Sequence, residues 1–561
     1  MQRRTVERGL PSGAEKFIRP RPRGNHLLDV SHRYNELRRL TAYDDGATAA
    51  SYAYDNLQRK TEERLNYGPF ALSYAYSYYA NGQKKTVTGP DAVSYAYTYD
   101  PNNQLASIQL PAGSITVNAY TWTAPERITL PGGTTRSRQY DPLMRLTALT
   151  AKDAFQNSLL SYQYAYDRAG NITRKATEHG TYDYGYDRLY RLKTAANPGP
   201  LSQEAYGYDA LGNRTTDSNL PGPWSYDENN ALRVAGAVAY DYDANGNAIK
   251  KTAGAQTMSL GYDTSDRLTE VKDAQGNTIG RYAYDPFGRR LWKETNNTRT
   301  WFFYADEGLI GEYDSSGAET RAYGYQPDST WGTDPLLLKQ GKNYYFYQND
   351  HLGTPQKLTD TQGNVVWSAR AQAFGETTVD AGSTVTNNLR FAGQYYDGES
   401  GLYYNGARYY DPKLGRYTSH DGLSVARHVR RWQATLGMPG QLPLEINPYA
   451  YVANNPLRWI DPTGTNIFGY CGSGPSRYVL VDGRFAAACE NHDRCYLQCR
   501  ANKSKCDQTF WNEMNAVCDQ MPTGRDKELC YLRAENFFTA VVWFGDGEFQ
   551  EAQAAADCCK R

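Results

Sequence analysis

Polar and apolar residues alternate along most of the first 300 positions of the chain. Stretches such as "SYAYSYYA" and "GRYAYD" put an aromatic at about every second residue, the period of a β-strand with one buried face. Asp-x-x-Gly-Asn and Asp-x-x-Gly-Arg segments stand between such stretches. They predict tight turns, because an aspartate accepts nearby backbone N–H bonds and glycine takes a positive φ without steric cost. The dipeptide Tyr-Asp recurs in this setting, as in "YDNLQRK", "YDRLYRL", "YDALGNR", "YDTSDRL" and "YDPFGRR". From Asp167 its aspartates fall at Asp187, Asp209, Asp227, Asp243, Asp263 and Asp285, about 20 residues apart, which marks a repeat array. Strand, turn and strand, repeated, stack into a long β-sheet scroll.

Past residue 464 the period becomes helical. In "CENHDRCYLQC", Cys489, His492, Tyr496 and Cys499 share one helix face, with Asp493 one residue round. In "SKCDQTFWNEMNAVC" a second stripe joins Asp507, Phe510, Trp511, Met514 and Cys518. Ser504 with Asp507 three positions on resembles a capping box and starts that helix. Both helices are amphipathic and long enough to pack side by side.

Composition sharpens the boundary. All nine cysteines lie from Cys471 onward, so the first part is indifferent to redox state and the last is as cysteine-dense as a small secreted disulfide domain. The odd count leaves at least one thiol over. The first part is rich in tyrosine, with 49 Tyr against 16 Phe in the whole chain. At 561 residues the chain has room for several domains. Nothing in a formal net charge of zero suggests a nucleic-acid or acidic-lipid partner, and no nucleic acid is expected. No apolar run approaches the ~18–20 residues that span a bilayer. The arginine-rich start "MQRRTVERGLPSGAEKF" has no apolar core behind it and is read as a solvated tail.

The Tyr-Asp array resembles the YD repeats of RHS (rearrangement hotspot) proteins. "YFYQNDHLGTPQKLTDTQGNVVWSARAQAFG", "RFAGQYYDGESGLYYNGARYYDPKLGRYTSHDGL" and "NPYAYVANNPLRWIDPTG" resemble the RHS core-associated region. The resemblance covers roughly residues 40–464. It implies a β-sheet cocoon around a variable C-terminal toxin, and self-cleavage near the last "DPxG" motif by acidic residues. Asp421 and Asp461 are the candidate pair, with the cut just after Gly464 or Thr465. Two aspartates sharing a proton can activate a peptide-attacking water. "HDGL" lacks a proline after its aspartate, and Thr465 stands where the family prefers leucine. His351 in "NDHLGTP" is read as a structural histidine at a turn.

In the last segment "YCGSG", "CENHDRCY" and "CD" follow one another in the order found in secreted phospholipase A2, closest to its short bacterial and fungal forms. The resemblance makes His492 the general base and Asp507 its orienting partner. Asp493 becomes the carboxylate ligand of Ca²⁺, with carbonyl oxygens from Tyr470, Gly472 and Gly474. It implies the bridges Cys471–Cys489 and Cys495–Cys506, and a supporting hydroxyl from Tyr496. In such a site a neutral imidazole takes a proton from water and the cation steadies the ester oxyanion. "NFFTAVVWFG" supplies apolar side chains for an acyl channel or for the core.

A zinc site at Cys489, His492, Cys495 and Cys499 is the competing reading. On one continuous helix those ligands spread along ~15 Å of axis, too far to surround one ion. A non-enzymatic YD-repeat adhesion protein with a disulfide cap is the third.

The expected architecture is therefore mainly β: a tail to residue 40, a YD array over 41–300, an RHS core-associated region over 301–464, and a small, mainly α, disulfide-rich phospholipase A2-like domain over 465–561. The expected function is a delivered toxin hydrolysing phospholipid sn-2 esters with Ca²⁺. Its expected partners are a target-cell membrane, a cognate immunity protein and a secretion system. Cysteine placement puts the active toxin domain in an oxidising compartment.

Overall fold

The computed structural model describes residues 14–17, 30–121, 124–421, 447–465 and 503–519. The first three stretches form a succession of antiparallel hairpins, mainly β as expected. Among the described residues a first sheet of 19 strands runs from Ala14–Phe17 to Arg214–Asp217. A second sheet of 16 runs from Trp224–Tyr226 to Thr377–Val379. Strands adjacent in sequence pair in each, from Ala14–Phe17 on Val30–Tyr34 onward. The 300/301 boundary falls inside the strand Thr298–Ala305, which pairs with sheet neighbours on both sides.

The Tyr-Asp hairpin is built the same way each time. At Asp187 the backbone N–H donates to the Arg191 carbonyl, and the Tyr190 N–H donates back to the Asp187 carbonyl, both at 3.0 Å. One carboxylate oxygen accepts the N–H groups of Leu189 and Arg191 at 2.9 and 3.1 Å, and the other accepts Arg191 Nε at 2.6 Å. The register slips at the tyrosine before the turn, at Tyr166, Tyr186, Tyr208, Tyr262 and Tyr284 alike. A loop closed by a left-handed residue and a bulge is a common hairpin solution. Glycine fills the left-handed position at Gly212 (φ 79°), but Tyr190 (φ 61°) and Met144 (φ 58°) take it too. The capped turn thus overrides the usual preference for glycine.

In several repeats the tyrosine of the pair ties one repeat to the one before. Tyr186 donates its hydroxyl to the Ile172 carbonyl at 2.8 Å, Tyr208 to Leu192 at 2.8 Å, and Tyr284 to Leu268 at 2.6 Å. Phenylalanine could not make these bonds, so these positions need tyrosine. The tip arginine adds a link forward: Arg191 donates to the Asp209 carbonyl at 2.7 Å and lies 4.8 Å over the Tyr208 ring.

The two sheets bury their aromatic faces against each other. Tyr67 donates to the Phe302 carbonyl at 2.8 Å, and Tyr74 stacks on Phe303 at 4.3 Å. Leu65 and Leu72 of the first sheet join Trp301, Phe303 and Tyr313 of the second in one cluster.

A four-stranded sheet follows, made of Tyr395–Asp397, Leu402–Asn405, Arg408–Asp411 and Arg416–Tyr417. Residues 447–465 lie across it and across the hairpin tips of the array. Tyr417 N–H donates to the Tyr449 carbonyl at 2.8 Å. Asn454 donates to the Gly212 carbonyl at 2.9 Å, Asn455 to Tyr190 at 2.9 Å, and Arg458 to Ala169 at 2.6 Å. The asparagines of "YVANNPL" therefore read backbone that the repeat tips leave unpaired.

The last described element is a helix, Lys503–Asp519, where the Ser504 capping pattern placed one. Cys506 and Phe510 are buried on it, and Cys506 is disulfide-bonded. The rest of the expected α, disulfide-rich domain lies outside the described residues.

Candidate active site

Asp461 and Gly464 sit in the segment "DPTG", which is pressed against the four-stranded sheet by close backbone contacts. Gly464 has φ 72°, and a Cβ there would fall 2.0 Å from the Asn405 carbonyl oxygen. Gly393 faces the segment from outside it, where a Cβ would meet the Pro462 carbonyl oxygen at 1.8 Å. The Ala407 N–H donates to the Thr463 carbonyl at 3.0 Å. Only glycine fits such approaches, and they fix the Gly464–Thr465 peptide bond in place.

Three charged groups converge on that bond. Arg408 Nε donates to the Gly464 carbonyl oxygen, and Arg408 Nη1 donates to the Pro448 carbonyl at 2.9 Å. Arg408 Nη2 stands 3.4 Å from a carboxylate oxygen of Asp421 and 3.4 Å from one of Asp461. Asp461 Oδ1 accepts the Thr465 N–H at 3.0 Å. One guanidinium therefore joins both expected aspartates to the carbonyl, and one of those aspartates touches the amide nitrogen. All three groups are largely or fully shielded from solvent.

Two uncharged residues complete the arrangement. Tyr417 donates its hydroxyl to Asp461 Oδ2 at 2.6 Å, and its ring lies 3.5 Å below the Arg408 guanidinium. Asn405 donates to the Tyr417 hydroxyl and to the Asp461 carbonyl, each at 2.8 Å. Burial, reinforced by the Asp461 charge, pushes the Tyr417 hydroxyl well above its ordinary pKa, so it stays protonated. Such a set can polarise a carbonyl and hold a proton carrier beside a leaving nitrogen.

The sequence picked out Asp421 and Asp461 from their motifs, and the structure brings both to Arg408. It did not single out Arg408, Tyr417 or Asn405. Their signal was "YYNGARYYDPKLGRY", where arginine recurs among buried tyrosines. The expected lipase residues stand differently. His492, Asp493, Tyr496, Tyr470, Gly472, Gly474, Cys471, Cys489 and Cys495 lie outside the described residues. Asp507 falls on the helix Lys503–Asp519, and its side chain is also outside them.

His351 has a structural position, as expected. It is buried, with Nε2 2.8 Å from the Leu457 carbonyl and its ring 5.0 Å from that of Tyr164. Burial holds its pKa below the usual value against Asp350, and Lys175 adds to the depression. The neutral ring, donating to Leu457, is the folded form. The unfolded chain binds a proton near pH 6.5 and the folded chain resists it, so stability falls as pH drops below that value. The thermal midpoint is expected to fall more between pH 7 and pH 5 in wild type than in His351→Gln. Equal slopes would exclude this histidine as a source of acid sensitivity.

Comparison with known proteins agrees with this fold. Residues 12–196 and 116–457 match the Teneurin YD-shell family. The chain is 31% identical over 334 residues to double-stranded DNA deaminase toxin A of Burkholderia cenocepacia, covering 54% of this chain and 22% of that protein. It is 31% identical over 287 residues to the tRNA3(Ser)-specific nuclease WapA of Bacillus spizizenii, covering 49% of this chain and 11% of that one. The chain thus spans well under a third of the length of these curated relatives. The crystal structure of TcdB2-TccC3-Cdc42 shares the fold at a TM-score of 0.64 and 17% identity, over 81% of this chain and 26% of that one. These relatives correct the expectation that nucleic acid has no part. Two of them are named for acting on DNA and tRNA, and a neutral net charge summed over shell and toxin together does not report what a toxin segment acts on.

Proposed function

The chain belongs to the Teneurin YD-shell family, and on that premise we propose that it is the shell of a delivered toxin that cuts its own chain between Gly464 and Thr465, freeing residues 465–561. The observation that carries this reading is the single guanidinium of Arg408, which meets Asp421, Asp461 and the Gly464 carbonyl together. Water adds to the Gly464 carbonyl carbon. Asp461 takes the water's proton and hands it to the Thr465 nitrogen, which its Oδ1 already contacts. Arg408 steadies the charge that develops on the carbonyl oxygen. Asp421 holds the other side of the guanidinium and keeps it aimed. Purified chain is expected to resolve into two polypeptides, the smaller beginning at Thr465. A chain that stays whole, or a cut elsewhere, would sink this reading.

For the freed segment we propose calcium-dependent hydrolysis of phospholipid sn-2 esters, with His492 as base and Asp507 as its orienting partner. Support comes from the ordered motifs "YCGSG", "CENHDRCY" and "CD", and from the buried, bonded Cys506 on the expected helix. Calcium would be held by Asp493 with the carbonyls of Tyr470, Gly472 and Gly474. The names of the relatives favour a second reading, a toxin acting on DNA or tRNA. The full chain, after self-cleavage, distinguishes the two when given phosphatidylcholine vesicles, duplex DNA and tRNA in parallel. Fatty acid released only with calcium, and lost in His492→Ala, supports the lipase. Altered nucleic acid with no fatty acid released overturns it.

A further inference from the structure

We propose that Tyr417 is a positioning residue for the cut, holding Asp461 charged and aimed at the Thr465 amide through a hydroxyl whose own direction is set by Asn405. The inference rests on the self-cleavage reading and adds to it a residue that never touches the scissile bond.

The argument starts from what each group can donate. Asn405 spends its side-chain NH₂ on the Tyr417 hydroxyl oxygen and the Asp461 carbonyl, each at 2.8 Å. An amide nitrogen has donors only, so the tyrosine oxygen must accept there. Its one proton is then directed at Asp461 Oδ2, 2.6 Å away. Asn405, Tyr417 and Asp461 are each at most 2% exposed, so water does not compete for these bonds. Burial and the nearby carboxylate keep the phenol protonated, so the direction of the bond does not reverse across neutral pH.

A hydroxyl that donates to a carboxylate favours its charged form. It also occupies Oδ2 and leaves Oδ1 for the Thr465 N–H, where the proton must be delivered. The ring has a separate duty beneath Arg408 at 3.5 Å. Phenylalanine keeps the ring and removes only the hydroxyl, so Tyr417→Phe separates the two roles.

The test is the pH profile of self-cleavage in the full chain. Cleavage that needs a charged Asp461 falls on the acid side as that carboxylate takes a proton. In Tyr417→Phe the acid limb is expected to move upward by about one pH unit, with a lower rate above the limb because Asp461 loses its aim. Asn405→Ser, which releases the hydroxyl from its fixed direction, should move the limb the same way by less, and it serves if Tyr417→Phe does not fold. A uniform slowing at every pH with no displacement of the limb would mean a structural role only and would overturn the inference. Wild type that never cuts refutes the self-cleavage reading itself; wild type that cuts, beside two variants with unmoved limbs, refutes only the role of Tyr417.

Discussion

Asp461→Asn leaves the chain uncut. Asparagine has the size and shape of the aspartate, and Tyr417 can still donate to its oxygen. What the amide cannot do is accept a proton from water and pass it to the Thr465 nitrogen. Positioned proton transfer is worth roughly 10²–10⁴-fold in rate, so at least a hundredfold slowing is expected. The fold should survive, because Arg408 keeps Asp421 as a charged partner and keeps its bonds to the Gly464 and Pro448 carbonyls. A time course of the purified variant by electrophoresis gives the answer, with wild type followed in parallel. Cutting at the wild-type rate would remove Asp461 from the chemistry and leave its contacts as packing alone.

The array was legible because its rules are local. An aspartate that caps its own turn and a tyrosine at the matching strand end act within a few residues, and both recur about every 20 residues. The left-handed residues at Tyr190 and Met144 were not legible, since nothing in those side chains asks for positive φ. The meeting of the two aromatic faces was hidden as well. Tyr67 and Phe302 are 235 positions apart, and alternation says only that a face is buried, never against what. The candidate site shows the same division. Asp461 stands out in a motif, whereas Arg408 is one arginine in a row of tyrosines until the chain returns 53 residues later and places Asp461 beside it. Such a juxtaposition belongs to topology, and a one-dimensional pattern does not carry it.

Asp397→Ala should be the most damaging single substitution in the shell. Asp397 and Arg290 are both fully buried, and the carboxylate binds Arg290 Nη1 and, at 3.0 Å, Lys293 Nζ. Burial is the largest single influence on Arg290 and works against its charge, but Asp397 and the groups around it together more than offset this and leave the guanidinium charged. The rings of Tyr404 at 4.3 Å and Phe302 at 4.7 Å stack on it, and the Arg290 N–H donates to the Tyr404 hydroxyl at 2.8 Å. The pair fastens the four-stranded sheet to the second large sheet, so both layers feel its loss. Removing one partner of a buried pair strands the other charge, at about 3–5 kcal/mol. Denaturant unfolding of Asp397→Ala should show a drop in that range, and a loss under 1 kcal/mol would mean that water or Glu399 compensates. The double variant Arg290→Met with Asp397→Leu decides between mechanisms. If it recovers most of the loss, the damage in the single variant is the uncompensated charge. If it stays as unstable as the single variant, the ion pair itself holds the two sheets together, and self-cleavage should fail with it, because Asn405 and Arg408 ride on the sheet that Asp397 anchors.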